Sequence, residues 1–271
     1  MATLHRASTQ TKHYQHHEYP SAESNQAREF VFSRSEKKYL VSSATSKALI
    51  RLLGSDLVVD RRGSTMIRNL YLDTPDYALI RRSLERPLYK EKLRVRTYGS
   101  IAGPEHEAFV EVKKKLDGRV YKRRLALPLS EVERFIAGRT TPPGQIAREL
   151  AWSLRSYGPL QPAISVVYER CALTYPGLQG NVRITLDCNL AAKLGSAGDL
   201  SAPLDASAYQ LLLPEDTCVM EIKAQGAIPL ELTRILSFLE VYPTSFSKVG
   251  TAYSQLFSQG RGKTGRTCQH D

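Results

Sequence analysis

Acidic side chains are scarce in this chain relative to basic ones. Of 271 residues, 27 are Asp or Glu and 38 are Lys or Arg, a formal charge of +11. That excess argues for an anionic partner: nucleic acid, a membrane surface or a polyphosphorylated small molecule. Cysteine is sparse too. Cys171, Cys188, Cys218 and Cys268 form no Cys-x-x-Cys pair, so neither a zinc site nor a disulfide framework is suggested. Reduced thiols in the cytoplasm are the expectation. No apolar run reaches the length of a membrane span and the N-terminus lacks an apolar signal core, which predicts a soluble, cytoplasmic, non-spanning protein. Walker A and Gly-rich phosphate loops are absent, as are a catalytic Cys and a Ser-His pair. Of six histidines only His106 falls within the core region, in a predicted loop. His13, His16 and His17 lie in a short polar tract that lacks the ligand set of a metal site.

What is present is period-two alternation of charge, centred on residues 93–127. Arg94 and Arg96 share one face of a strand, with Leu93, Val95 and Thr97 on the other. Glu111, Lys113 and Lys115 oppose Val110, Val112 and Lys114. Asp117-Gly118 is a two-residue hairpin signal, and Lys122 and Arg124 share a face beyond it. The pattern recurs in Glu36 and Lys38, in Tyr168 and Arg170, in Arg183, Thr185 and Asp187, and in Glu221 and Lys223. One such strand would turn its charges to water. Many strands with mostly one sign of charge point instead to a closed barrel lined with cations, a tunnel for a polyanion whose few carboxylates are available to a metal.

Along the chain, residues 1–27 read as a disordered tail, 28–257 as one domain and 258–271 as a flexible basic tail. Strands are predicted at 29–41, 66–73, three within 89–127, then near 162–175, 181–189 and 217–224. Helices are predicted at 42–54, after Thr74-Pro75-Asp76, from a Ser130–Glu133 capping box to Gly138, at 145–157 with an Ile146, Leu150, Leu154 stripe, near 206–213, at 229–240 and over the last core segment. The fold class is α+β: an eight-stranded antiparallel β-barrel with surrounding helices. Ser247 and Lys248 fall near the start of the last helix, where free N–H groups favour an anion.

Read in order, several segments resemble the VTC-type polyphosphate polymerase domain, a branch of the triphosphate tunnel metalloenzymes. They are Glu36–Leu40 with Lys38, Leu70–Pro75, Tyr89–Arg96, Glu111–Lys115, Val120–Arg124, Arg183–Asp187, Met220–Lys223 and Tyr242–Lys248. The resemblance implies an eight-stranded tunnel that holds a triphosphate and a growing polyphosphate chain. It also implies transfer of the γ-phosphoryl of ATP with Mn²⁺ or Mg²⁺, and it leaves room for a separate membrane protein partner. Carried over by position, the phosphate-binding residues are Lys38, Arg94, Arg96, Lys113, Lys122, Arg124, Arg170, Arg183, Ser247 and Lys248. Arg94, Arg96, Lys122 and Lys248 are expected to carry catalysis, and Glu221 to hold the metal, with Glu36 and Glu111 as further candidates. Two departures stand out: Arg34 replaces the first Glu of a Glu-x-Glu-x-Lys strand, and Ser245 stands where eukaryotic polymerases carry Lys. A triphosphatase of the same fold and a non-catalytic polyphosphate sensor are the alternatives. No specific nucleic-acid partner is expected, because the chain lacks aromatic interleaving.

Overall fold

The computed structural model describes residues 34–176 and 181–258. Strand β1 (Arg34–Ser42) runs into helix α1 (Ser43–Leu53), then β2 (Val58–Asp73) into α2 (Ala78–Leu84). The meander β3 (Tyr89–Tyr98), β4 (Glu107–Leu116) and β5 (Arg119–Pro128) leads to α3 (Leu129–Ile136) and α4 (Gln145–Ser156). Then come β6 (Gln161–Tyr175), β7 (Val182–Leu194), the two-residue β8 (Gln210–Leu211), β9 (Thr217–Gln225), α5 (Leu230–Phe238) and α6 (Lys248–Ser258).

All pairings are antiparallel, in the order β1-β9-β7-β6-β2-β3-β4-β5, with β8 on the flank of β7. The eight long strands curl into a half-barrel. Among the described residues no ladder joins the edge strands β1 and β5, so the curl is a trough and not a hydrogen-bonded ring. The segment leading into α6 ties one rim: Thr244 N–H donates to Lys38 O at 2.7 Å, and Lys38 Nζ to Phe246 O at 2.9 Å.

The alternation sorts the faces as expected. On the convex side, Tyr39, Ile184, Met220 and Ile222 pack under α1 and α5. Leu93, Val95, Val110 and Val112 pack under α3 and α4, with Phe135 and Leu150 almost fully buried. On the concave side α2 and α6 cover only one end, around Ile67, Tyr71 and Tyr168. The rest of that surface stays polar. At the β4–β5 hairpin, Asp117 (φ 44°) and Gly118 (φ 78°) are both left-handed, the geometry of a type I′ turn and the reason for Asp-Gly there.

Local chemistry explains the element ends. The Ser42 hydroxyl accepts from Thr45 N–H and caps α1, and Gly54 (φ 67°) stops it. α2 starts at Ala78, later than the Thr-Pro-Asp opening predicts, but the Thr74 hydroxyl does accept from Ala78 N–H at 2.9 Å, and buried Asp73 accepts from the N–H groups of Leu79 and Ile80. The Ser130 box does not form, because α3 begins one residue earlier, directly after Pro128. The buried stripe of α4 is Ala147, Leu150, Ala151 and Leu154, with Ile146 exposed. Where a helix was expected at 206–213, a single 3₁₀ turn (Ala206–Ala208) precedes β8.

The largest correction concerns thiols. Cys188 and Cys218 form a disulfide between β7 and β9, with a Cα–Cα distance of 4.4 Å, so these two are not reduced. Cys171 is free, and burial pushes its thiol up. Cys268, the three N-terminal histidines, both predicted tails and the start of the expected first strand lie outside the described residues. Among those residues no helix is long and apolar enough to cross a membrane.

Candidate functional site

Cross-strand register places the basic residues on the concave face. Lys38 sits opposite Glu221, and Glu221 opposite Thr185. Asp187 sits opposite Arg170, Tyr71 opposite Arg94, and Arg94 opposite Glu111. Glu111 faces Arg124, and Lys113 faces both Lys92 and Lys122. Directly paired residues point to one side, so seven of the eight long strands contribute charge to one surface.

Two carboxylate centres organise it. Glu111 is 1 % exposed. Its Oε2 takes Arg94 (2.7 and 2.6 Å), and its Oε1 takes Lys122 at 2.7 Å and the Arg124 guanidinium. Burial alone would raise its pKa, but Arg94, Arg96 and Lys122 hold it down at about 2. The second centre is Asp187 with Glu221. Asp187 accepts a two-pronged contact from Arg170 (2.6 and 2.7 Å) and an ion pair from Lys248 Nζ at 2.7 Å. Glu221 lies within 3.4 Å of Lys248, 3.2 Å of Lys223 and 3.9 Å of Lys38. Burial opposes its ionisation, yet Lys248, Lys223 and Lys38 hold it well below the usual carboxylate range. Tyr168 joins the two centres: its hydroxyl accepts from Arg96 at 3.2 Å, while Arg170 and Lys248 lie over its ring.

Arg96 differs from its neighbours. It is 6 % exposed, and its guanidinium donates to Asn69 Oδ1 (2.8 Å), Tyr98 (3.4 Å) and Tyr168 (3.2 Å), all neutral oxygens. No carboxylate lies within ion-pair distance among the described residues. Buried charge is normally paired or satisfied by a ligand. Lys113 and Arg183 are exposed and likewise make no ion pair among those residues.

Sequence reasoning missed Lys92. It shares the face of Arg94 and Arg96 by simple alternation, and it donates to Ser247 Oγ at 2.9 Å. Burial, together with Lys38, Lys113 and Lys90, lowers its pKa to about 8. Ser247 also accepts from Gly250 N–H and so caps α6, which brings Lys248 into the trough. Tyr71 lies on the same face, opposite Arg94. It is buried, but burial fails to raise its pKa, because Arg94, Lys92 and Arg96 keep it below the ordinary value.

The three proposed metal ligands are not equivalent. Both oxygens of Glu111 are engaged by close cations, which leaves no lone pair directed into open space. Glu221 is held by longer contacts, and Glu36, diagonal to it across the β1–β9 ladder, is 37 % exposed with a single cation at 3.9 Å. No cluster of three His, Cys, Asp or Glu occurs among the described residues. A hard divalent ion that takes most of its oxygens from phosphates and water fits Glu221 with Glu36; a dedicated all-protein cage does not.

The fold is a curled antiparallel sheet whose concave face carries a cationic lining. The VTC domain family model matches residues 33–257, and the chain belongs to that family. No curated protein matches it in sequence. Two solved proteins described as "putative adenylate cyclase" resemble it in structure. The one from Bacillus halodurans is 19% identical with a TM-score of 0.45, covering 78% of this chain and 92% of its own. The one from Vibrio parahaemolyticus is 13% identical with a TM-score of 0.41, covering 84% and 98%.

Proposed function

We propose that this protein is a polyphosphate polymerase that transfers the γ-phosphoryl group of ATP to the end of an inorganic polyphosphate chain and releases ADP. Arg96 carries the reading: a buried guanidinium with only neutral partners among the described residues, in a trough whose other cations flank it on both sides, suits a ligand that brings several negative charges.

In the reaction a terminal phosphate oxygen of the chain forms a bond to the γ-phosphorus, and the bond from that phosphorus to the β–γ bridging oxygen breaks. Such transfers need positioning and charge neutralisation more than a side-chain nucleophile. Arg94, Arg96, Arg124 and Arg170 would bind phosphate oxygens through their planar forks, and Lys38, Lys113, Lys122 and Lys248 as point charges. Arg183 and the Ser247 hydroxyl extend the lining at the β7 and α6 ends. To accept phosphate, Arg94, Arg124 and Lys122 would share their hydrogen bonds with Glu111. That carboxylate keeps three cations in place before the ligand arrives. Glu221 and Glu36 would hold Mn²⁺ or Mg²⁺, which would supply positive charge to offset that developing on the phosphates.

The test is to incubate purified protein with ATP and Mn²⁺, with and without a short polyphosphate primer, and to resolve polymer, ADP and free phosphate. Polymer with matching ADP is expected, and Arg96→Ala should reduce it by about 100-fold or more. Free phosphate without polymer would replace the polymerase with a triphosphatase. Saturable polyphosphate binding without turnover would leave a sensor.

A further inference from the structure

The alternation that lines the trough also furnishes the back of the sheet. Val112 sits opposite Arg123, and Lys114 opposite Tyr121. They point away from Glu111, Lys113, Lys122 and Arg124, their sequence neighbours on the concave face. On this convex side α4 packs against β4 and β5. There the surface holds a cavity of about 330 Å³, whose lining includes Val112, Lys114, Arg123, Arg148, Glu149 and Trp152. None of the phosphate-binding or metal-holding residues assigned above belongs to that lining.

Trp152 is the one tryptophan of the chain, and it is 61 % exposed. Core packing does not call for it: α4 buries Ala147, Leu150, Ala151 and Leu154. The ring is nonetheless held. Buried Glu91 accepts from the Tyr157 hydroxyl at 2.6 Å and pairs with Lys114 Nζ at 3.0 Å, and that ammonium lies 5.4 Å from the indole centroid. Glu149 is the acidic member of the lining, and both its oxygens are engaged: Oε2 accepts from Arg123 and Oε1 from Gln145 at 2.7 Å. Arg148, one turn before Trp152 on α4, is exposed and makes no ion pair among the described residues.

A fixed, exposed indole beside three cations and one engaged carboxylate matches a ligand that carries both a flat ring and a negative charge. Bare phosphate would leave the indole unused, and an uncharged ring would leave Arg148 unused. Ligand pockets run from about 300 to 1,000 Å³, so this one takes a small molecule. We propose that the cavity is a second ligand site, on the opposite face of the sheet from the trough, for a purine nucleoside monophosphate. The base stacks on Trp152, and the phosphate takes Arg148 and Arg123. The site stands independently of the polymerase reading.

The experiment follows tryptophan emission of the full chain, which reports on Trp152 alone. AMP should quench it saturably, and calorimetry should return the same affinity. Adenosine lacks the charge and inorganic phosphate lacks the ring, so each should bind there at least roughly tenfold more weakly than AMP. Arg148→Gln changes an exposed side chain; it should weaken AMP roughly tenfold and leave the emission of the free protein as it was. AMP that binds by calorimetry without altering the emission would lie elsewhere and overturn the site, as would no binding at all. Inorganic phosphate or adenosine as tight as AMP, or AMP binding untouched in Arg148→Gln, would overturn it too.

Discussion

Lys92 on β3 donates a 2.9 Å hydrogen bond to Ser247 on the turn that opens α6, and among the described residues no carboxylate shares it. The bond spans the trough from β3 to the helix that carries Lys248. It also places a desolvated ammonium where a ligand would approach.

The Lys92 pKa near 8 gives a pH dependence with a definite sign. The unfolded chain holds this proton to about 10.4, so the cost of burying the charge is fully present below pH 8 and is relieved between pH 8 and 10.4. Lys38 and Lys90 shift in the same direction, through burial first. Ligand-free stability should therefore rise over that interval, and Lys92→Met should flatten the rise by about 2 kcal/mol after allowance for solvent screening. Polyphosphate binding at pH 8.5 should take up protons, measurable by calorimetry in buffers of different ionisation enthalpy. Proton uptake unchanged in Lys92→Met would refute the assignment.

Glu111 and Glu221 should separate stability from turnover. Removing Glu111 leaves Arg94, Lys122 and Arg124 without their counter-ion. Breaking such a buried network costs about 3–5 kcal/mol, and Glu111→Ala should lower Tm by roughly 10 °C. Its depressed pKa contributes stability at neutral pH that is lost as pH falls from about 4.5 through 2. Glu221→Gln should instead leave metal-free tripolyphosphate binding as tight or tighter, because a negative charge is gone, and cut Mn²⁺-dependent turnover about 100-fold. Full turnover in Glu221→Gln would make this carboxylate an ion-pair partner and nothing more.

The Cys188–Cys218 bridge closes a loop of sequence separation 30. On the chain-entropy model, reduction should cost about 3.5 kcal/mol and shift Tm down by roughly 10 °C. Alkylation and mass spectrometry of the folded protein, with and without reductant, check it. Both thiols labelled without reductant would show that the bridge does not form.

The facing of the strands was legible because alternation is local: Arg94, Arg96, Glu111, Lys113, Lys122 and Arg124 fall where period two puts them. The Asp117-Gly118 turn was legible because both φ values demand those residues. The disulfide was not. Residues 188 and 218 meet only because β9 inserts between β1 and β7, an adjacency that no spacing rule encodes. The α3 and α4 errors came from competition. Pro128 set the helix start before Ser130 could cap it, and small residues at 147 and 151 let α4 rotate Ile146 outward. Lys92 was within reach, since the face rule applied to Arg94 and Arg96 extends back by two. At Glu111 and Glu221 sequence alone could not say whether a carboxylate among cations is free or spent, because that depends on contacts across four strands.

Thr244 and Phe246 are tied to Lys38 at the β1 rim of the trough, and among the described residues no ladder joins that rim to β5. A ring of strands would be a threaded channel, which a polymer enters only by an end and leaves only by sliding. A trough with a seam would work as a clip. A polymer could be laid in sideways along its length and lifted out again if the hydrogen bonds at Lys38 and Lys92 let go. Processivity would then depend on how long those few bonds survive, and not on the length of the chain already made.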